Sequence, residues 1–404
     1  MLDQNKSTHR AAFDDLRVLD LSEGLAGPLC ARILADHGAE VIKVERPAGD
    51  AARRWAPFLG GAENPERSLL FHLANLNKSG LRLDYTTPEG AAILRRIAAQ
   101  ADVIVESARP GDLARLGLDH ATLAQDNPGL ITVSITPFGQ TGPYAGFQGE
   151  EVVTYAMSGV MSFSGEADRE PLKHGGMQSQ YEGGLSAATA AAAGIYARDV
   201  MGHGQHIDIS LQDVVTSTLV IQQPFYSWGG AVQGRKVAGG TKTGQIQPCK
   251  DGYFIWQMGG GRKWPDIAPF FGHEKLFDER FDSVDGRTLY AAEIDALITE
   301  ATADREMKEL FRTASEKYRM LFGIAQEPKD LLACEHLAAR DFFQSVEIDG
   351  ETVPMPFRMW SATEGGPELR SGAPRLGEHN SMILQDGFGL SPDEYARLQA
   401  AGIV

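Results

Sequence analysis

At 404 residues, 43% apolar and 23% charged, the chain has the composition of a globular protein and the length for one large domain or two ordinary ones. A formal charge of −16 argues against nucleic acid as a partner, because phosphate backbones call for a basic surface. No apolar run approaches the roughly 18 residues of a membrane span, so no membrane partner is expected. The N-terminal MLDQNKSTHR has neither apolar core nor cleavage signal, so a frayed tail and a cytoplasmic location are expected.

In chain order, the first ordered segment is RVLDLSEGLAGPLCARILADHGAEVIKVERPAGD, from Arg17 to Asp50. The apolar run Val18–Leu21 meets a turn with Gly24, Gly27 and Pro28. Helical spacing of Leu29, Ile33 and Leu34 follows, Gly38 stops it, and a second run, Val41–Val44, ends at Glu45–Arg46. That pattern predicts strand, turn, helix and strand, the start of a parallel sheet with its crevice at the carboxyl ends of the strands. Ala51–Arg67 reads as loop, and Leu81–Leu83 as a short strand. Pro88 and Glu89 open a helix to about Ala99, and Ala101–Glu106 is a buried strand. Leu113–Leu118 and Ala121–Asn127 are short helical pieces before a strand over Leu130–Ile135.

From Phe138 to Glu182 the glycine-rich sequence reads as loop, and Leu185–Ala197 as an alanine-rich helix before the strand Ile207–Leu211. The pattern breaks at 223–247, a domain boundary. Beyond it, Asp251–Gln257 is a strand, Glu293–Ile298, Arg305–Lys317 and Leu331–Phe343 are helices, and Val346–Val353 is a hairpin around Asp349–Gly350. A last helix opens at Ser391–Pro392. The expected organisation is a large α/β domain over 1–222, a linker and small domain over 223–330, and a return to the large domain over 331–404.

Spacing alone leaves the site open. The opening turn lacks the G-x-G-x-x-G fingerprint and Arg46 follows the acidic Glu45, which turns it away from NAD. Gly259–Gly261 with Arg262 and Lys263 lacks the phosphate-loop pattern and reads as a turn. The cysteines Cys30, Cys249 and Cys334 are far apart, none of the 10 histidines forms an H-x-x-x-H pair, and no metal is expected.

Six phrases, in order, resemble class III CoA-transferases, the group of formyl-CoA transferases, carnitine-type CoA-transferases and α-methylacyl-CoA racemases. They are the opening segment, NKSGLRLDYTTPEG, ADVIVESARPGDLARLGL, NPGLITVSITPFGQTGPYAG, GHGQHIDISLQD and APRLGEHN. The resemblance implies an open, mainly parallel Rossmann-like sheet domain built from both chain ends, a smaller inserted domain, and an interlocked homodimer. It also implies coenzyme A, as an acyl-CoA, and a free carboxylic acid as substrates. Arg46, Leu83, Arg115 and Leu116 match positions that hold the adenine and phosphate end, alongside Leu25, Ala26 and Thr86; Ser107 stands where many relatives have asparagine. A guanidinium suits that task because it stacks on a base and pairs with phosphate.

The family's nucleophilic aspartate falls at Gln180, an amide that forms no anhydride. The nearest carboxylate is Glu182, and the racemase histidine falls at Glu150, beside Glu151. Three readings follow: CoA transfer through Glu182 or another carboxylate; acid–base chemistry on an acyl-CoA (isomerase, lyase or hydratase) with Glu150, Glu151 and Glu182; or a catalytically silent CoA-binding subunit.

Overall fold

Arg17–Asp20 (β1), Ala26–Asp36 (α1) and Glu40–Glu45 (β2) realise the expected opening unit, and Gly38 takes φ +108° where the chain turns back. The structure is a computed structural model that describes residues 11–165, 167, 169–235, 246–259 and 261–404. Two compact units divide it. One takes the described residues up to Arg235 together with Arg340–Val404; the other takes those from Ile246 to Ala339.

The first unit continues with Leu69–Asn75 (α2), Ser79–Arg82 (β3), Pro88–Ala98 (α3), Val103–Glu106 (β4), Asp112–Arg115 (α4), His120–Asp126 (α5) and Ile131–Thr136 (β5). Thr87 caps α3 by accepting the Gly90 N–H, and Pro88 fills the first turn, as the sequence signal requires. Glu151–Met157 (α6), Gln178–Met201 (α7), His206–Ser210 (β6), Leu211–Thr216 (α8) and Gln222–Gly229 (α9) complete the stretch.

The strands form one six-stranded sheet, ordered β3-β2-β1-β4-β5-β6, with every neighbouring pair parallel. Alternate residues feed opposite faces, as the two-residue strand period demands. Val18, Val41, Val103 and Val105 pack with Leu29, Leu34, Ala187 and Ala191 of α1 and α7. Leu19, Ile42 and Ile104 pack with Leu94 and Ile97 of α3 and with Ile383 and Leu398 from the C-terminal segment. The sheet therefore needs both ends of the chain.

The second unit holds Ile246–Cys249 (β7), Gly252–Gln257 (β8), Trp264–Phe271 (α10), Val284–Leu289 (α11), Ala291–Thr302 (α12), Met307–Arg312 (α13), Leu321–Ile324 (β9), Pro328–Leu332 (α14) and Glu335–Ala339 (α15). Its antiparallel sheet, ordered β7-β8-β9, buries Phe254 and Trp256 against Trp264, Phe271 and Phe281. The first unit then resumes with the hairpin of Phe343–Ile348 (β10) and Glu351–Pro356 (β11) and ends with Pro392–Ala400 (α16). Asp349 and Gly350 take φ +50° and +80°, the left-handed pair that a tight two-residue hairpin requires.

Two expectations need correction. Leu331–Phe343 is not one helix: it breaks between α14 and α15, Asp341 turns at φ +55°, and Phe343 pairs with Pro356 in the hairpin. The stretch Phe138–Glu182 is not all loop, since it contains α6 and the first turn of α7. The segment after Arg67 contains α2, capped by Ser68. The first turns of α7, rich in glycine and polar residues, lack an apolar stripe; they are helical because tertiary packing holds them. A β-carbon on Gly184 would lie 2.8 Å from the Ala26 carbonyl oxygen, so glycine there lets α7 press directly on α1. That contact brings the N-termini of the two helices together. Gly260, within the Gly259–Gly261 triplet, and residues 236–245 of the 223–247 stretch lie outside the described residues. Among the described residues no helix is long and apolar enough to cross a membrane.

Candidate active site

The connections from β1 run towards β2 and β3, and those from β4 towards β5 and β6, so a crevice opens at the carboxyl ends of β1 and β4. The loop leaving β1 is pinned from below by buried charges. Lys43 pairs with Asp50 at 2.7 Å and Asp20 at 3.6 Å, and Lys78 pairs with Asp20 at 2.8 Å; the charged ends of all four are buried. Asp20 accepts the Ser22 N–H at 3.1 Å, Lys43 donates to the Ser22 carbonyl, and Asp50 accepts the Gly24 N–H at 2.9 Å. Burial alone would raise the Asp20 carboxyl, but Lys43 and Lys78 hold it below the ordinary carboxylate range. Burial likewise lowers the Lys78 ammonium to about 8, against the pull of Asp20.

Two cavities share this crevice. The first, of about 620 Å³, is lined by Arg46, Thr86, Arg115 and Leu116, four of the residues expected at the nucleotide end. The second, of about 500 Å³, is lined by Ala26, Glu150, Gln180, Trp55 and Phe147. Glu23, Ser107, Arg109, Asp112 and Arg115 line both, so the two are sections of one cleft. Leu25 and Leu83 are instead buried, at 3% and 0% exposure, and Leu83 donates its N–H to the Glu45 carbonyl at 2.8 Å. Glu23, Arg109 and Tyr85 were not anticipated as lining residues. Glu23 was within reach, because it sits in the turn Ser22–Gly27; Arg109 precedes Pro110–Gly111, a loop signal that marks a position and no chemistry.

Within the cleft Arg46 and Arg115 are already engaged. Arg46 pairs with Glu23 at 2.5 Å, and Arg115 pairs with Asp112. At the other section, Gln180 sits in the first turn of α7 and its Oε1 accepts the Ala26 N–H of α1 at 3.3 Å. An oxygen accepting from a backbone N–H fixes the amide orientation, leaving Nε2 as the remaining donor.

The acidic residues separate by role. Glu150 lines the second cavity. Glu151 does not; its carboxylate accepts the Ser179 and Gln180 N–H groups, each at 3.3 Å, and the Ser179 hydroxyl at 2.5 Å, and pairs with Lys173 at 3.3 Å. It caps α7, satisfying N–H groups that a helix start leaves free. Glu182 is two residues beyond Gln180 on an uninterrupted helix, about 200° around its axis, and does not line the cleft. Among the described residues no group of three or more His, Cys, Asp or Glu could hold a metal ion.

Glu182 carries a measurable signature. Burial first, then the Glu151 charge, raises its carboxyl pKa, with His174 opposing, and its Oε2 is buried without a hydrogen-bond partner. A raised carboxyl favours the folded state only while protonated; that contribution disappears as pH rises through the raised value. Glu182→Gln is therefore expected to raise the thermal unfolding midpoint above wild type at pH 8. The gap should close below about pH 4, where the carboxyl is protonated in both states, as read by scanning fluorimetry across pH.

The sequence matches CoA-transferase family III over residues 13–380. It is 32% identical over 378 residues to the succinate–glutarate CoA-transferase of Agrobacterium fabrum, covering 92% of this chain and 94% of that protein. It is 33% identical over 403 residues to the succinyl-CoA–D-citramalate CoA-transferase of Chloroflexus aurantiacus, covering 97% and 98%. The crystal structure of a CaiB/BaiF family protein from Brucella suis matches with a TM-score of 0.85 at 32% identity, over 93% of this chain and 99% of that one. The α/β fold with its parallel sheet, the crevice at the β1–β4 switch and these full-length similarities lead to one conclusion: the chain belongs to CoA-transferase family III and is a CoA-transferase-like enzyme.

Proposed function

We propose that the chain binds an acyl-CoA along the cleft and moves CoA between that thioester and a free carboxylic acid. One observation carries this reading: a single cleft joins Arg46 and Arg115 at one section to Gln180 at the other. Guanidinium groups suit the adenine and phosphates of CoA, and the N-terminus of α1 suits the oxygen of a thioester carbonyl. Leu25 and Leu83 act as the packed wall behind the nucleotide section, and Thr86 and Leu116 as its rim. Gln180 stands where the family has its aspartate. An amide forms neither acyl anhydride nor CoA thioester, so position 180 contributes the Nε2 donor to the thioester carbonyl, and the carboxylate that carries the acyl group is elsewhere in the cleft. Glu150 remains in reach of that section; Glu151 caps α7, and Glu182 does not line the cleft.

Coenzyme A is expected to bind the wild-type protein in calorimetry, and Arg46→Ala to weaken it by about ten- to a hundredfold, the worth of charge-assisted hydrogen bonds. With succinyl-CoA and glutarate as probes, Gln180→Asp is expected to turn over faster than wild type. Failure of CoA to bind would overturn the reading of the cleft. A folded Gln180→Asp protein that binds CoA but is no faster would show that an acid at position 180 does not carry the acyl group in this cleft.

We also propose that two copies associate, with the second unit inserted in the chain of the first. In support, α9 buries none of its residues in the described chain, and Trp228, Tyr226, Phe225 and Ile221 are 94%, 63%, 50% and 53% exposed. Apolar side chains so grouped on one short helix usually face a partner. Sedimentation is expected to give twice the 43.7 kDa chain mass; a monomer at micromolar concentration contradicts it.

A further inference from the structure

With glutamine at position 180, CoA transfer by an acyl-carrying carboxylate needs another acid at the meeting point of the two cavities. Three acidic residues line the second cavity: Glu23, Asp112 and Glu150. Asp112 also lines both cavities and pairs with Arg115, but it lies in the single turn α4 rather than in the loop that leads to the Ala26–Gln180 hydrogen bond. Glu150 lines the second cavity alone and is exposed at the start of α6. Glu23 lines both cavities, and its carboxylate contacts a group that a nucleotide would claim, the guanidinium of Arg46 at 2.5 Å.

The backbone around Glu23 is fixed and only its side chain is free to move. Its N–H donates to the Ser107 hydroxyl at 2.9 Å, Ser22 before it is locked by Asp20 and Lys43, and the Gly24 N–H after it is held by Asp50. Two residues further on, the Ala26 N–H holds the Gln180 side chain, which places the Glu23 loop against position 180. The pair itself is half-exposed, with Glu23 and Arg46 side chains at 35% and 47%. Such a pair is weak, so a multiply charged phosphate displaces it readily.

We infer that Glu23 is the acyl-carrying carboxylate of this chain, and that CoA releases it by taking Arg46. This rests on the proposed acyl-CoA reading of the cleft. A freed Glu23 oxygen attacks the thioester carbonyl; the C–S bond breaks, CoA leaves as thiolate, and a mixed anhydride remains on Glu23. The thiolate then attacks the glutamyl carbonyl, expelling the first acid as its carboxylate and leaving a glutamyl-CoA thioester. The incoming carboxylate attacks that carbonyl, releasing the thiolate and forming the second anhydride. Attack of the thiolate on the new acyl carbonyl yields the product thioester and restores Glu23. Protons and electrons balance without a further reagent. Until CoA arrives, Arg46 holds the carboxylate away from other reactions.

Glu23→Gln separates the two halves of the inference. It is expected to bind CoA about two- to fivefold more tightly, because a competing ion pair of that strength is gone, while turnover of succinyl-CoA with glutarate falls by at least about a hundredfold. Trapping the wild-type adduct with borohydride, followed by tryptic mapping, locates the carrier. Glu23 falls on the peptide Val18–Arg32, Asp112 on Ile97–Arg115, Glu150 on Leu116–Arg169 and Glu182 on His174–Arg198. A label on Val18–Arg32 that is lost in Glu23→Gln supports the inference. A label on another peptide, undiminished turnover in Glu23→Gln, or no label while CoA binds, overturns it and leaves the cleft reading standing. If CoA binds neither protein, the cleft reading fails and the inference with it.

Discussion

The buried ion cluster of Asp20, Lys43, Asp50 and Lys78 is the constraint on which the rest of the site depends. Four charges with their charged ends away from water are costly, and each is tolerable only because the others satisfy it. Removing one partner of such a pair commonly costs about 3–5 kcal/mol, because a charge is then left stranded. The cluster joins the end of β1 to β2, to the start of β3 and to the loop after Arg46. It therefore fixes the turn that carries Glu23 while leaving that turn's outer surface to the cleft. A second buried pair, Arg53 with Glu45 at 2.7 Å, continues the same bracing and reaches the Pro374 carbonyl of the C-terminal segment at 3.0 Å. The site is thus tied to both ends of the chain.

Packing supplies the other half of the geometry. Gly184 lets α7 approach α1 closely enough that one side chain, Gln180, bonds the first turn of the opposite helix. Glu151 satisfies the start of α7 from the other side. The start of α1, with the Gln180 amide beside it, makes a place where negative charge develops at little cost. That arrangement does not require an acid at position 180, so an amide there leaves the scaffold intact while changing what the scaffold can do.

The sheet was legible from the sequence because its strands are short apolar runs with turn residues between them. Pro88–Glu89 and Asp349–Gly350 announced a helix start and a hairpin through local chemistry alone. The start of α7 was hidden because its stability is tertiary: glycines against α1 and a cap from Glu151 leave no periodic stripe to read. The same non-local bonds divide Glu150 from Glu151, which look equivalent as neighbours in sequence. Lys43 lies in an apolar run with no sign that it would be buried, and its partners come from two other segments, Asp20–Ser22 and Asp50. Arg46, Thr86, Arg115 and Leu116 were placed at one cleft by resemblance, and the fold does bring them together. Glu23 lies in the turn Ser22–Gly27 that the strand–turn–helix pattern marks as the place for a ligand, but the pattern does not single out one residue of that turn.

Amide hydrogen exchange with and without saturating coenzyme A tests the central claim most directly, because it reads the cleft loops without relying on turnover. The account predicts slower exchange in the loop Ser22–Ala26 and in the segment Ser107–Leu116, the two walls that the cavities share. Unchanged exchange in both segments, with protection confined to other parts of the chain, would contradict it.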